Sequence, residues 1–246
     1  MLARMGFTLD QEGIFVRYAR ERAGWDIHLK KSKETILDFV NHTGCRDLVV
    51  LGSGWLLDVP LHELAQLCRT VYLYDIVHPG VVKHKASKYS NVVLVEADIT
   101  GGLIEDVYNN ISRAGKSFTL EMVPVPTLNI AHDSDGVVSL NILNQLDILL
   151  CDYILSQTSV DDDRLLEFRK QIQKSHLTFL ESRSSCLITD VEERTCDPNG
   201  SNPSSKMLVH VPLPSTTHQL SWEWRFDQNG SYRQNRVTTF AVQARW

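Results

Sequence analysis

The sequence predicts an α/β protein: a three-layer sandwich with a mainly parallel sheet and an antiparallel hairpin strand at its C-terminal end. Three observations carry this prediction. Residues 47–79, DLVVLGSGWLLDVPLHELAQLCRTVYLYDIVHP, read as strand, glycine turn, helix and strand. Further apolar runs then alternate with helical patterns, as a parallel sheet covered on both faces requires. Two late strand-like runs, 220–226 and 237–243, are separated by Asp227-Gln228-Asn229-Gly230. Asn-Gly is a hairpin signal because both residues tolerate positive φ.

Taken in order, residues 13–41 read as one or two helices interrupted near Ala23-Gly24-Trp25. Ile14, Tyr18 and Arg22 recur at helical spacing, and Ile36, Leu37 and Val40 continue the stripe after Ser32. Residues 48–51 form the first buried strand. Gly52-Ser53-Gly54 then removes side chains where the backbone turns sharply. Residues 58–67 are the crossover helix, 70–74 the second strand, 81–87 a short helix and 92–95 the third strand. Gly101-Gly102 breaks the chain before a turn of helix at 103–110. Residues 118–135, with Pro124 and Pro126, read as a long loop, a length that tends to be functional or mobile. The fourth strand, 136–140, runs straight into a helix through Asn144, Leu146 and Leu149. Residues 161–182 form the clearest helix, with Leu165, Phe168, Ile172 and Leu177 on one side. The fifth strand is 185–191, followed by an exposed loop at 196–205. There is no internal repeat. The expected organisation is a single domain over residues 1–246, with an N-terminal helical cap (1–44) on an α/β core (45–246).

Composition bounds the function. The chain has 246 residues, 43% hydrophobic and 22% charged, enough for one large core. A net charge of −5 disfavours a nucleic-acid partner, because phosphate binding calls for a basic surface. The cluster Lys83, His84, Lys85 and Lys88 is a local exception, read more simply as a solvated helix face than as a basic patch. Five scattered cysteines with no CxxC pair indicate neither a disulfide framework nor a metal site. With no signal-like segment and no membrane-length apolar run, the expected location is cytoplasmic.

The function signal lies in the first strand–turn–helix–strand unit. Asp75 follows Gly52 at about the interval that puts a carboxylate beside a ribose, which argues for a cofactor with an adenosine moiety. Five alternating strands and a closing hairpin are not the usual ending of a nicotinamide-binding fold. The order resembles the Rossmann-like, class I S-adenosylmethionine-dependent methyltransferases, whose seven-stranded sheet closes with such a hairpin. The resemblance runs from about Trp25 to Trp246. Val50-Leu51-Gly52-Ser53-Gly54-Trp55-Leu56 resembles the family's glycine motif, although Val50 replaces its acidic residue and Leu56 its third glycine.

The resemblance implies S-adenosylmethionine as cofactor, bound by Gly52, Ser53, Gly54, Asp75, Ile76, Asp98 and Ile99. Asp75 would accept the ribose hydroxyls; the alternative is an ordinary turn carboxylate. Asp98 would accept from the adenine amino group and Ile99 cover the ring, against a role in capping a turn or helix. Asp58 is a replacement carboxylate or an N-cap. Asn141, ending the fourth strand, would orient the methyl acceptor or cap the next helix, and is the candidate catalytic residue. Trp25 and His28 are candidate substrate contacts, with core anchor and structural histidine as their alternatives. They and the loop 118–135 are expected to surround the acceptor. His78 lines the adenosine pocket or a simple turn. Asp190 and Glu192 read as solvated strand-end charges that could instead face an acceptor. A small molecule is the expected acceptor. The rival readings are a non-catalytic methyltransferase-like binding scaffold and an NAD(P)-dependent oxidoreductase, the latter weakened by the absence of a completed GxGxxG and of any Tyr-x-x-x-Lys pair.

Overall fold

A computed structural model describes all 246 residues, Met1–Trp246. Its elements are α1 (Phe7–Thr43), β1 (Asp47–Leu51), α2 (Leu61–Leu67), β2 (Thr70–Asp75), α3 (Gly80–Ala86), β3 (Val92–Glu96) and α4 (Leu103–Ala114). These are followed by β4 (Gly136–Leu140), α5 (Ile148–Gln157), α6 (Asp162–Glu181), β5 (Ser185–Cys196), β6 (Ser204–Met207), β7 (Gln219–Asp227) and β8 (Val237–Arg245). The sheet order is β3-β2-β1-β4-β5-β8-β7. The pairs among β1 to β5 on this path are parallel, and β8 runs antiparallel to both β5 and β7. This is the expected Rossmann-like arrangement with one reversed strand. An eighth strand, unforeseen, joins it: β6 pairs with Glu192–Thr195 on the outer half of β5.

Alternation along the strands explains the layers. Leu48, Val50, Val71, Leu73, Val138, Leu140, Cys186 and Ile188 face one way, onto α1, α2 and α3 through Ile36, Phe39, Leu64 and Val82. Val49, Leu51, Val137 and Leu187 face the other, onto Leu177 and Leu180 of α6. Leu103, Val107, Leu150, Ile154, Phe168 and Ile172 join α4, α5 and α6 in a further core. Burying both faces of β1 and β4 is why these strands read as unbroken apolar runs.

Several boundaries differ from expectation for physical reasons. The crossover helix begins at Leu61 because Pro60 sets its first turn, so Asp58 lies ahead of the helix. A turn through residues 142–147 separates β4 from α5, so the two are not continuous. The loop 118–135 contains one 3₁₀ turn, Leu120–Met122, another at Gly115–Ser117 precedes it, and α4 extends to Ala114. The break in α1 falls at Glu21, whose φ and ψ are −104° and 17°. Glu21 is buried there, accepting from Gln228 N (3.0 Å) and Asn229 Nδ2 (2.6 Å), which fastens the kink to the β7–β8 connection. Gly24 has another purpose: a Cβ there would meet Arg225 O at 2.5 Å, so glycine permits α1 to lie against β7. The β7–β8 connection itself is longer than a two-residue turn. Asp227 organises it by accepting from Asn229 N, Ser231 Oγ and Tyr232 N, and only Gly230 of the Asn-Gly pair has positive φ. No helix is long and apolar enough to cross a membrane.

Candidate functional site

A cavity of ≈ 270 Å³ opens at the carboxyl ends of the parallel strands, under α1. β1 lies between β2 and β4, so the chain leaves in opposite directions on its two sides; such a switch point leaves a crevice where open α/β sheets bind ligands. Gly52, Gly54, Asp75, Ile76, Asp98, Ile99, Trp25, His28 and Asn141 all line this cavity. Ser53 does not. It is buried, and its hydroxyl lies 3.0 Å from His78 Nε2, so its side chain supports the turn from behind. His78 likewise serves the turn and is absent from the cavity wall.

The glycine turn is built for close approach. Gly52 has φ +84°, and a Cβ on it would come within 2.0 Å of Ile142 Cγ2 and 2.7 Å of Leu140 O. Leu56, standing where the motif resemblance has a third glycine, has φ +58°. The left-handed turn is therefore retained at the cost of about 1–2 kcal/mol of backbone strain. Val50 is fully buried in the sheet core and contributes nothing to the cavity.

Asp75, 7% exposed at the end of β2, is held tightly. Its Oδ2 accepts from Gly54 N (2.7 Å), and its Oδ1 from Ile76 N (2.8 Å) and from Gln11 Nε2 of α1 (3.0 Å). Burial lifts its pKa to about 6 against these donors, which lower it. Trp55, beside the turn, stacks on Phe15 with centroids 4.6 Å apart and donates to Gln11 O at 2.7 Å. The first turns of α1 thus seal the cavity over Asp75. Asp98 accepts from Thr100 N (2.8 Å), Thr100 Oγ1 (2.5 Å) and Ile104 N (3.1 Å), so its carboxylate organises the turn into α4 as the capping alternative describes, while still lining the cavity.

Beyond the glycine turn the cavity is lined by a polar cluster. Asn141, with φ +52°, donates from Nδ2 to Asp58 Oδ2 at 2.8 Å. It is no helix cap; α5 starts seven residues later. Asp58, no N-cap either, turns its carboxylate to the cavity, where burial raises its pKa to about 6. His28 accepts at Nδ1 from Trp222 Nε1 (3.1 Å) and stacks on Trp224 at 3.9 Å. A neutral imidazole has one acceptor nitrogen, and an indole can only donate. The approach of Asn141 Nδ2 to His28 Nε2 (3.2 Å) is therefore a contact, and the amide is held by Asp58. Burial pushes the His28 pKa down to about 3, so this ring is neutral and structural in its chemistry. Trp25 donates to Phe226 O at 2.9 Å and is 2% exposed, the anchor its alternative reading describes, with one edge on the cavity.

Asp190 departs most from expectation. It is 2% exposed, lines the cavity, and its Oδ1 has no protein partner. A register shift between Asp190 and Glu192 in the β5–β8 ladder re-aims it inward, while Glu192 pairs outside with Arg194 at 2.6 Å. Burial and the nearby Asp58 carboxylate raise its pKa to about 8. Sequence reading also missed Arg17, Asn144, Trp224, Phe226 and Phe240, which line the same cavity, the Arg17 guanidinium lying 4.8 Å from the Phe226 ring centroid. The alternation Trp222, Trp224, Phe226 was the available signal, marking one apolar face of a strand. The loop 118–135 does not reach the cavity; Phe118, Val123 and Leu128 are buried in the α4–α6 and α6–sheet cores instead.

No protein-family model matches the chain, and no curated protein matches its sequence. Among solved structures, it is similar to the 1,6-didemethyltoxoflavin-N1-methyltransferase of Burkholderia thailandensis, crystallised with 1,6-didemethyltoxoflavin and S-adenosylhomocysteine. Identity is 14% and the TM-score 0.43, over 97% of this chain and 87% of that one. The N-methyltransferase NodS of Bradyrhizobium japonicum WM9, in complex with S-adenosylhomocysteine, gives 9% identity and a TM-score of 0.36 over 87% and 85%. The 23S rRNA methyltransferase ErmE gives 12% and 0.32 over 87% and 67%. At these values the similarity carries no functional weight; the fold assignment rests on the strand order.

Proposed function

We propose that this chain is an S-adenosylmethionine-dependent methyltransferase acting on a small-molecule acceptor. The observation that carries the reading is the buried Asp75 carboxylate beside the Gly52-Ser53-Gly54 turn, in a cavity that continues to Asp58, Asn141 and Asp190. The fit of an adenosine cofactor is supported by the open space at Gly54, where a Cβ would meet only Asp75 Oδ2 at 3.9 Å, and by a carboxylate able to accept from two vicinal hydroxyls. Ile76 and Ile99 offer apolar cover for a base, and Asp58 offers a second carboxylate in the cavity in place of the acidic residue missing at Val50.

When bound, the cofactor supplies a methyl group already activated on a sulfonium. The protein's part is then alignment and exclusion of water, which can supply much of the barrier reduction. α1 covers the cavity, Asn141 is fixed by Asp58, and the aromatic wall from β7 and β8 shapes the acceptor end. A small acceptor is supported by the cavity volume of ≈ 270 Å³ and the net charge of −5.

The test is a screen for methyl label passing from the cofactor into a metabolite extract, followed by Asn141→Gly on any acceptor found. Glycine keeps the positive φ that alanine would strain, so the variant removes only the amide. Turnover should fall at least tenfold with little change in cofactor affinity. Cofactor binding without any methylated acceptor would favour the non-catalytic scaffold instead.

A further inference from the structure

We propose, building on the methyltransferase reading, that the acceptor end of the cavity is a subsite for an amine, whose N–H groups are received by Asp190, Asn144 and Asn141. Three buried acceptor atoms line this one cavity with no protein donor in hydrogen-bonding geometry: Asp190 Oδ1, Asn144 Oδ1 and Asn141 Oδ1, although the Asn144 side chain is near enough to Asp190 to lower its pKa. Their residues are 2%, 5% and 7% exposed. A buried acceptor without a partner is costly, so three together point to a ligand that brings donors. An ammonium or amine nitrogen offers two or three N–H groups at one point; a hydroxyl offers one, and a carboxylate none. Two carboxyls, Asp190 and Asp58, face the same space, which favours a basic group over a neutral one. Protonated before a ligand binds, Asp190 gives its proton to solvent as an ammonium arrives. It can then hold the one that the ammonium must release before its nitrogen has a free lone pair: R–NH₃⁺ and carboxylate become R–NH₂ and carboxylic acid. His28 does not suit that role, because its Nδ1 lone pair is already taken by Trp222, and the Asp58 carboxylate is engaged by the Asn141 amide. The adjoining wall of Trp25, Trp224, Phe226 and Phe240 fits an aromatic or otherwise apolar body attached to the amine.

The experiment titrates 2-phenylethylamine and 2-phenylethanol, which share a ring and differ in the donor group, into the full chain saturated with S-adenosylhomocysteine. The amine should bind at least tenfold more tightly than the alcohol. Asp190→Asn should weaken the amine at least tenfold and leave the alcohol within about threefold, showing the aromatic wall intact. Asn144→Leu, which retains Asp190, should weaken the amine several-fold in the same selective way. Equal binding of both probes, binding of neither, or an amine preference that survives Asp190→Asn would overturn the subsite. If S-adenosylhomocysteine itself fails to bind, the cofactor reading falls, and the same probe comparison on the free protein still decides the amine subsite.

Discussion

The backbone N–H of Gly54 donates to Asp75 Oδ2 across 2.7 Å, so the end of β2 and the turn after β1 form one rigid corner. The corner makes unequal demands on its two glycines. A Cβ at Gly52 would collide with Ile142 and with the carbonyl of Leu140, whereas one at Gly54 would meet only Asp75 Oδ2, at 3.9 Å. Both have positive φ. Gly52→Ala should therefore destabilise the fold by about 2–5 kcal/mol, backbone strain and overpacking together. Gly54→Ala should cost only about 1–2 kcal/mol, the strain alone. Chemical denaturation of both variants tests the ranking, and a Gly52→Ala protein no less stable than Gly54→Ala would contradict it.

Gln11 competes with any ligand for Asp75. Oδ1 already accepts from Ile76 N and Gln11 Nε2, filling both of its lone pairs, while a ribose diol needs one place on each oxygen. The cavity beneath α1 is also small for a cofactor and substrate together. Gln11 must let go when a ribose arrives. Gln11→Ala should accordingly tighten S-adenosylhomocysteine about tenfold or more, the scale of one hydrogen bond to a charged group. Weaker binding in the variant would mean that Gln11 helps hold the ligand.

The fold was legible because parallel strands buried on both faces leave continuous apolar runs, and because Gly52, Gly54 and Asp75 follow a spacing set by backbone geometry. The half of the site near Asp75 was legible for the same reason. The acceptor half was not. Whether Asp190 faces water or the cavity depends on a β-bulge one residue later, and no local pattern encodes it. Likewise, the aromatic alternation in β7 announces an apolar face but not which helix or cavity that face meets. The loop 118–135 misled because prolines and turn formers look alike in a functional loop and in one that covers a core.

Asp190 should make the protein less stable as pH rises. Its folded-state pKa, about 8 against the ordinary 3.8, means the native protein holds a proton that the unfolded chain has lost between about pH 4 and 8. Stability therefore declines across that window. Asp190→Asn removes the dependence. The variant's advantage over the parent should be near zero at pH 4 and grow to a few kcal/mol, on the order of 2–5, above pH 8. His28, depressed to about 3, acts in the opposite sense and only below about pH 6.5. Asp58 and Asp75, raised to about 6, titrate below the same pH, so the difference between parent and variant unfolding curves from about pH 6.5 to 9 isolates Asp190. A stability difference that does not change with pH would show Asp190 to be ionised in the native protein.

The central claim is that Asp75 receives the ribose of S-adenosylmethionine, and calorimetric titration of S-adenosylhomocysteine into the parent protein, Asp75→Asn and Asp75→Ala tests it most directly. The parent should bind S-adenosylhomocysteine and not NAD. Asp75→Ala, shown folded by circular dichroism, should lose about 1.5–3 kcal/mol, roughly ten- to more than a hundredfold, because the diol would lack its charged acceptor. Asp75→Asn, which preserves shape but not charge, should fall between the two. Undiminished affinity in a folded Asp75→Ala protein, or binding of NAD in place of S-adenosylhomocysteine, would contradict the account.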